Sequence, residues 1–197
     1  MVEYRLRTPL SEEDIRKLRV GDIVYLSGII YTARDAAHRR MLEYLKEGKP
    51  LPFDLRGSAI YHCGPVVLKK DEQWIVVAGG PTTSTRMELY EYDVIEKLGV
   101  RMVIGKGGMG SRTAEACKKF GAVYVTFTGG AGVLAAQAIK RVIDVYWLDL
   151  GIPEAVWVLE VEDFGPLIVA IDSTGRNLTE EIIKEAIAKK EQLLRGS

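Results

Sequence analysis

The chain has few cysteines and histidines, no excess of either charge, and no long apolar run. Of its 197 residues, 2 are cysteine and 2 are histidine, and 27 basic residues balance 27 acidic ones. A protein without net charge has no global field to attract nucleic acid or an anionic membrane. No apolar stretch is long enough to span a bilayer, and the opening residues MVEYRLRTPLSEED lack the apolar core of a signal peptide. We therefore expect a cytoplasmic protein with neither a nucleic-acid partner nor a membrane partner.

The two cysteines, Cys63 and Cys117, are too few for several kinds of site. They lie far apart in the sequence and form no CxxC pair, which argues against a disulfide framework. An iron–sulfur cluster usually needs three or four thiolates, so the sequence predicts no cluster and no other metal held by this chain alone. Both cysteines are interpreted as small buried apolar side chains.

The hydrophobic content, 47% of the residues, is enough for one compact domain over residues 1–197. The order of elements predicts an α/β fold with a mixed sheet. Residues 1–20 are predicted to form an N-terminal strand and a helix that opens at Ser11, and residues 177–197 contain a C-terminal helix. A buried strand is predicted at residues 22–31.

Three segments in the middle of the chain share the order strand, glycine-rich turn, helix. The strands WIVVA, RMVIG and AVYVTF run into the turns GGPTTSTR, KGGMGSRT and TGGAG, followed by helices to about Leu98, Phe120 and Val142. This alternation predicts parallel strands joined by crossover helices. Two further strands, VWVLEVED and PLIVAID, are predicted on either side of a turn at FGP.

The glycine-rich turns are candidate anion sites, because helix N-termini at the carboxyl ends of strands present unpaired N–H groups. For any single turn, the alternative is that glycine only permits a tight bend. The first turn has four successive hydroxyl residues, 82–85, and helix capping accounts for one of them. Thr82 and Arg86 are four residues apart, so a common helix would place them on one face, and a guanidinium there could hold a carboxylate.

The second turn, IGKGGMG, matches GxGxxG at Gly105, Gly107 and Gly110. A dinucleotide site also needs an acidic residue about 20 positions later, and none is present there. Lys106 is followed by glycine and not by Ser or Thr, so the phosphate-binding P-loop pattern fails as well. What remains is a lysine in a loop rich in N–H groups, which suits a compact anion.

The segment YTARDAAHRR places Arg34 at a predicted junction between strand and helix, with His38 one turn further on the same face. His62 precedes the HCGP turn. Both histidines are more typical of structural than of catalytic residues, and their roles stay open at this stage.

The segments SGIIYTARDAAHRR, GPTTSTRM, IGKGGMG and TGGAG occur in this order in the β portion of class I fumarases and L(+)-tartrate dehydratases. The chain resembles that family over roughly residues 21–176, including the late segment LGIPEAVWVLEVEDFGPLIVAIDSTG. The resemblance implies a swivelling β/β/α-like domain in a hydro-lyase that adds or removes water across a carbon–carbon bond of a small dicarboxylate. Fumarate hydratase of the tricarboxylic acid cycle is the first interpretation and tartrate dehydratase the alternative. A small-anion or nucleotide-binding protein without catalysis, and a structural subunit with a decayed site, are alternatives from other classes.

The resemblance also implies a division of labour between two chains. A [4Fe–4S] cluster would be held by cysteines of a separate α subunit, in a heterodimer or heterotetramer, and this chain would be inactive alone. By the same resemblance, Arg34, Arg86 and Lys106 bind the dicarboxylate, while Thr82 and Lys106 are catalytic. Thr82 is the implied acid/base, although a free alcohol needs strong activation for that role.

Overall fold

The computed structural model describes the backbone of residues 1–195 and the side chains of residues 1–194. The strands are β1 (Glu3–Arg7), β2 (Ile23–Thr32), β3 (Ala59–Tyr61), β4 (Val66–Lys70), β5 (Gln73–Ala78), β6 (Met102–Gly105), β7 (Val123–Thr126), β8 (Ile139–Tyr146) and β9 (Val156–Ile171). The α-helices are α1 (Glu12–Lys17), α2 (Asp35–Lys46), α3 (Glu88–Leu98), α4 (Ser111–Phe120), α5 (Gly132–Ala138) and α6 (Leu178–Arg195). Short 3₁₀ turns lie at Ser84–Met87 and Leu148–Leu150.

The main sheet has the order β1-β2-β3-β6-β7-β9-β8, and it closes on itself. Strands β1, β2, β3, β6 and β7 pair in parallel, whereas β9 is antiparallel and pairs with both β7 and β2. The ring β2-β3-β6-β7-β9 therefore has no open edge between its members. The predicted α/β fold with a mixed sheet is confirmed.

Successive side chains along the ring strands point to opposite faces, so the strands contribute to two cores, one inside the ring and one outside it. Tyr61, Trp157 and Phe164 are fully buried in the core on the inner face of the ring. Ile60 and Val103, the neighbours of inward residues, point outward into a second core beneath α2, α3 and α4. The helices thus cover the outer face and bring their N-termini to the edge at which the parallel strands end.

One predicted parallel strand is wrong. WIVVA forms β5, which pairs antiparallel with β4 in a separate two-stranded sheet. Asp71 and Glu72, between the two strands, have positive φ angles of 48° and 64°, the geometry of a tight hairpin turn. β5 therefore pairs with its neighbour β4 across this turn and is not a strand of the main sheet.

Two predictions on the late part of the chain are also wrong. The helix predicted to reach Val142 ends at Ala138, and the chain continues as β8, whose β-branched residues pair with β9. The turn predicted at FGP does not divide two strands. β9 runs continuously through it, because the residues on both sides pair with β2.

The two ends of the chain follow the predicted pattern. Ser11 caps α1 by accepting a hydrogen bond from the Asp14 N–H at 3.1 Å. The C-terminal helix predicted within residues 177–197 is α6, and residues 196–197 lie outside the described part. No helix within residues 1–195 is long and apolar enough to cross a membrane.

Candidate active site

The parallel strands bring the predicted site residues together where the carboxyl ends of these strands meet, a place we call the edge. Arg34 follows β2 and Lys106 follows β6. The segment 81–84 lies between the ends of β3 and β6, where the Thr82 N–H donates to the His62 carbonyl at 2.6 Å and the Lys106 N–H donates to the Thr82 carbonyl at 3.4 Å. Thr82 and Lys106, which are 24 positions apart in the sequence, are therefore neighbours.

Arg86 reaches the same edge through an ion pair. Its guanidinium contacts the Asp35 carboxylate through two nitrogens, with Nε 3.3 Å from Oδ1 and Nη2 against Oδ2. Since Asp35 directly follows Arg34, the pair ties the first turn to the start of α2. Arg34, Thr82, Arg86 and Lys106 are thus all placed at one edge. The Arg86 side chain is 50% exposed, so the edge opens to solvent.

Thr82 and Arg86 do not share a helical face, because Thr82 precedes the 3₁₀ turn and is not helical. The 3₁₀ turn starts after Thr83, which makes no side-chain capping bond. Ser84 contacts His62, and the Thr85 hydroxyl donates to the Gly108 carbonyl at 2.7 Å. Among the residues with described side chains, the Thr82 hydroxyl has no hydrogen-bond partner. The four hydroxyls of this turn are therefore not explained by capping.

Arg34 is only partly neutralised by its surroundings. Its Nε lies 3.3 Å from Glu154 Oε1, but the alignment is not that of a hydrogen bond. Among the described residues, this buried Nε has no other partner. The guanidinium lies over Gly64, where a Cβ would be 2.7 Å from Nη1 and 2.7 Å from the Pro153 carbonyl oxygen. Glycine at position 64 therefore leaves the space for Arg34.

Lys106 extends from the second glycine-rich turn to the third. Its Cδ lies 3.5 Å from the place where a Cβ on Gly129 would be. Across residues 1–194, its ammonium forms no ion pair. Its positive charge is therefore not compensated by a neighbouring carboxylate, in contrast to the charges of Arg34 and Arg86.

Internal carboxylates occupy two of the helix N-termini. Glu88 accepts hydrogen bonds from the Gly110 N–H at 2.7 Å, the Thr113 N–H at 3.2 Å and the Thr113 hydroxyl at 2.7 Å. Glu154 accepts from the Ala36 N–H at the start of α2 at 2.9 Å. The N-terminus of α4, predicted as part of an anion site, is therefore already filled by Glu88.

The glycines of the GxGxxG match have separate packing roles. A Cβ on Gly105 would lie 1.8 Å from the Ser84 oxygen, and one on Gly110 would lie 2.6 Å from Glu88 Oε1. Gly107 has a φ of +74°, which disfavours other residues. Close contacts and a left-handed turn account for the motif, which agrees with the rejection of a dinucleotide site.

Beneath the edge lies a fully buried polar cluster of His38, His62 and Glu91. Glu91 Oε1 is 3.3 Å from His38 Nε2, and Oε2 is 3.3 Å from His62 Nε2. The sequence left the roles of both histidines open, and it gave Glu91 no role. The available signal was an acidic residue on the same face of α3 as the buried Val94 and Ile95.

The two cysteines do not fit as cluster ligands. Cys63 lies in the inner core and Cys117 in the outer core, on opposite sides of the sheet. Both are buried, as predicted. Burial raises the pKa of Cys63 to about 12 and also raises the pKa of Cys117, so neither thiol is poised to become a thiolate ligand.

Comparison with known proteins identifies the family. The sequence model described as "Fumarase C-terminus" matches residues 1–182. The chain belongs to this family. It is 51% identical over 176 residues to the protein named L(+)-tartrate dehydratase subunit beta in Escherichia coli (strain K12), covering 89% of this chain and 86% of that protein.

Two further relatives extend the comparison within the fumarase C-terminus family. A protein named putative L(+)-tartrate dehydratase subunit beta in Methanocaldococcus jannaschii is 48% identical over 186 residues, covering 94% of this chain and 95% of that protein. A protein named putative fumarate hydratase class I in Geobacillus stearothermophilus is 47% identical over 188 residues, which are 95% of this chain but 35% of that protein. The resemblance to the β portion of class I fumarases and tartrate dehydratases is confirmed.

Proposed function

We propose that this chain is the β subunit of a hydro-lyase that interconverts fumarate and malate, with the active site completed by an α subunit. The observation that carries the proposal is the placement of Arg34, Thr82, Arg86 and Lys106 at one edge of the sheet. These are the four positions that the family resemblance gives for substrate binding and catalysis.

The charges of this edge suit a small dicarboxylate. Such a substrate has two negative charges. Arg34, Arg86 and Lys106 are three cations, of which Arg34 and Arg86 are paired with Glu154 and Asp35 and Lys106 has no carboxylate partner among the described side chains. Asp35 contacts Arg86 and Glu154 contacts Arg34, and these contacts restrict both guanidinium groups before substrate arrives. Pre-orientation of this kind lowers the entropic cost of binding and contributes to rate.

Thr82 is the proposed group that exchanges a proton with the substrate carbon. Its Oγ1 hydroxyl has no hydrogen-bond partner among the described side chains, and its backbone is hydrogen-bonded to both His62 and Lys106. An alcohol becomes a useful base only when positive charge stabilises its deprotonated form. Lys106, which has no carboxylate partner within residues 1–194, is the proposed source of that charge.

The proposal assigns the [4Fe–4S] cluster to the α subunit. The two buried cysteines of this chain lie on opposite sides of its sheet and cannot both ligate one cluster. The part of this chain is to bind and orient the dicarboxylate and to hold the proton at Thr82. The association would be a heterodimer or heterotetramer located in the cytoplasm.

L(+)-tartrate is a second candidate substrate, favoured by the names of the relatives that are 51% and 48% identical. Both relatives match this chain over most of their own length. Tartrate and malate differ by one hydroxyl group, so the same cationic edge could orient either.

Activity of the co-purified chains tests the proposal. The chain is co-expressed with a cluster-bearing α subunit, purified without oxygen, and assayed with fumarate, malate and L(+)-tartrate. We expect turnover only when both chains are present, with iron retained by the α subunit. Dicarboxylate binding by this chain alone, combined with no turnover by the pair, would favour a small-anion-binding protein and contradict the proposal.

A further inference from the structure

A buried network of hydrogen bonds extends beneath the edge from α2 to the first glycine-rich turn. The His38 Nδ1 lies 2.8 Å from the Arg34 carbonyl, and the His62 Nδ1 lies 2.9 Å from the Ser84 hydroxyl. Glu91 stands between the rings, 3.3 Å from each Nε2. The side chains of both histidines and of Glu91 are 0% exposed, so the network has no direct contact with solvent or substrate.

The partners of His38 determine its protonation. A carbonyl oxygen can only accept, so Nδ1 donates to Arg34, and Nε2 must also donate to face an ionised Glu91. Burial opposes a charge on His38, but the Glu91 carboxylate, the Arg34 carbonyl and Asp35 outweigh it and raise the pKa of the imidazole. Burial likewise acts to raise the pKa of Glu91, and the two histidines lower it to about 2. The pair is therefore an imidazolium and a carboxylate.

His62 has the opposite state. Burial is the largest effect and lowers its pKa, with the charge of His38 acting in the same direction. A neutral ring that donates from Nε2 to Glu91 leaves Nδ1 as an acceptor, so the Ser84 hydroxyl donates to it. This chain of donors and acceptors satisfies each polar atom of the three side chains, which is the condition for retaining charges in a core.

The network ends at backbone segments that contain the candidate site residues. His38 donates to the Arg34 carbonyl, and Ser84 begins the 3₁₀ turn that contains Arg86. The carbonyl of His62 accepts the 2.6 Å hydrogen bond from Thr82. The three elements that present Arg34, Thr82 and Arg86 are thus joined beneath the edge.

We propose that His38, Glu91, His62 and Ser84 are positioning residues, which hold the turns of Arg34, Thr82 and Arg86 in one fixed relation for the reaction. The inference rests on the proposed function for its kinetic test. The network does not touch substrate, and its effect is transmitted through the backbone of the residues that do. A displacement of about 1 Å in such residues can reduce turnover by roughly 100-fold.

Other ionisable groups surround the network. Asp35 lies at the start of α2, Tyr90 stacks on His38 with ring centroids 6.0 Å apart, and Tyr124 lies on β7 with its pKa raised chiefly by burial. The Cys117 thiol of α4 feels the charge of Glu91, and burial keeps it protonated. Only His38 and Glu91 are therefore charged inside the network at neutral pH.

The kinetic test is Ser84→Ala in the assembled enzyme. Loss of this hydroxyl leaves His62 Nδ1 without its donor, and we expect kcat to fall by roughly 10- to 100-fold, with KM changed less. Ser58→Ala is the matched control, since Ser58 is also a buried serine but its hydroxyl has no hydrogen-bond partner. Ser84→Thr, which keeps the hydroxyl, should restore part of kcat.

An independent test uses imidazole ¹⁵N resonances of the full chain, where the 2 histidines give two sets of signals. We expect one histidine with its pKa raised above the ordinary value of 6.5, assigned to His38, and one neutral ring protonated at Nε2, assigned by its loss in His62→Gln. This measurement needs no activity, so it stands even if the co-purified chains turn over no dicarboxylate.

Three results would overturn the inference. The first is two histidines that both titrate near the ordinary pKa of 6.5. The second is a folded Ser84→Ala enzyme with the same kcat as Ser58→Ala. The third is a stoichiometric metal ion in the purified chain that is lost in His62→Gln, which would make His38, His62 and Glu91 metal ligands instead.

Discussion

At the scale of single residues, Gly64 leaves space for the Arg34 guanidinium because it has no side chain. A methyl group there would lie 2.7 Å from Arg34 Nη1 and 2.7 Å from the Pro153 carbonyl, and the carbonyl belongs to backbone that cannot rotate away. We expect Gly64→Ala to displace Arg34 and lower kcat/KM for the dicarboxylate by about 10-fold or more. The measurement is steady-state kinetics of the assembled enzyme.

The matched control for this prediction is Gly79→Ala. A Cβ on Gly79 would make only ordinary contacts, at 3.5 to 3.8 Å. Equal kinetics in the two variants would contradict the role given to Gly64.

Thr82 offers the second prediction at this scale. If its hydroxyl exchanges the proton, Thr82→Ala should lower kcat by roughly 100-fold or more with a smaller change in KM. Thr82→Ser should keep part of the rate. The adjacent Thr83 is exposed and makes no side-chain capping bond, so Thr83→Ala serves as the control. A near-normal kcat for Thr82→Ala would remove this hydroxyl from the chemistry.

The residues proposed to touch substrate were easier to predict from the sequence than the residues that hold them in place. Arg34, Thr82, Arg86 and Lys106 could be nominated because their motifs are local. Their ion-pair partners in distant segments were not predicted. Asp35 pairs with Arg86, and Glu154 pairs with Arg34. Such pairs depend on the sheet order, which the sequence pattern did not establish.

At the scale of elements, Glu88 of α3 caps a different helix. Its carboxylate accepts three hydrogen bonds at the N-terminus of α4 and is favoured there by the helix dipole. We expect Glu88→Ala to lower the free energy of unfolding by about 1 to 2 kcal/mol, measured by urea denaturation. Glu115→Ala, an exposed change on α4 itself, should cost little. Equal losses in both variants would contradict the capping role.

Glu91 couples the packing of α2 and α3 to pH. Its pKa falls from an ordinary 4.5 to about 2 on folding. A lowered pKa stabilises the fold above pH 4.5, and this contribution is lost as pH falls through about 2. The melting temperature of the wild type should therefore exceed that of Glu91→Gln at pH 7, and the gap should shrink between pH 4.5 and 2.

Glu115→Gln is the control for the pH series, because its side chain is exposed. It should show no comparable gap at any pH. A gap for Glu91→Gln that stays constant down to pH 2 would contradict the ionised state of Glu91.

The errors in the predicted elements share a physical cause. WIVVA resembles a strand of a crossover unit, but its partner β4 is only a few residues away across a tight turn. The segment after α5 has helical spacing of apolar residues, yet β9 offers it an unpaired edge. Both outcomes depend on which edge is available, and local sequence patterns do not contain that information.

At the scale of the whole molecule, the closed ring ties together the strands that carry the site, while the site itself is open to solvent. β9 fixes β2 against β7, so the carboxyl ends of the strands between them cannot separate. The side chains at that edge remain open to solvent, as the 50% exposure of Arg86 shows. We expect an α subunit to cover this edge.

The most direct test of the central claim is kcat/KM of the assembled Lys106→Ala enzyme, measured with fumarate, malate and L(+)-tartrate. Lys106 is the cation of the site without a carboxylate partner among the described side chains, so a dicarboxylate should meet its full charge. Loss of a charge-assisted contact of roughly 1.5 to 3 kcal/mol predicts a fall of about 10- to 150-fold. Lys70→Ala, in the hairpin of β4 and β5, should leave kcat/KM unchanged. Lys106→Ala kinetics equal to those of the Lys70→Ala control on every substrate would contradict the account.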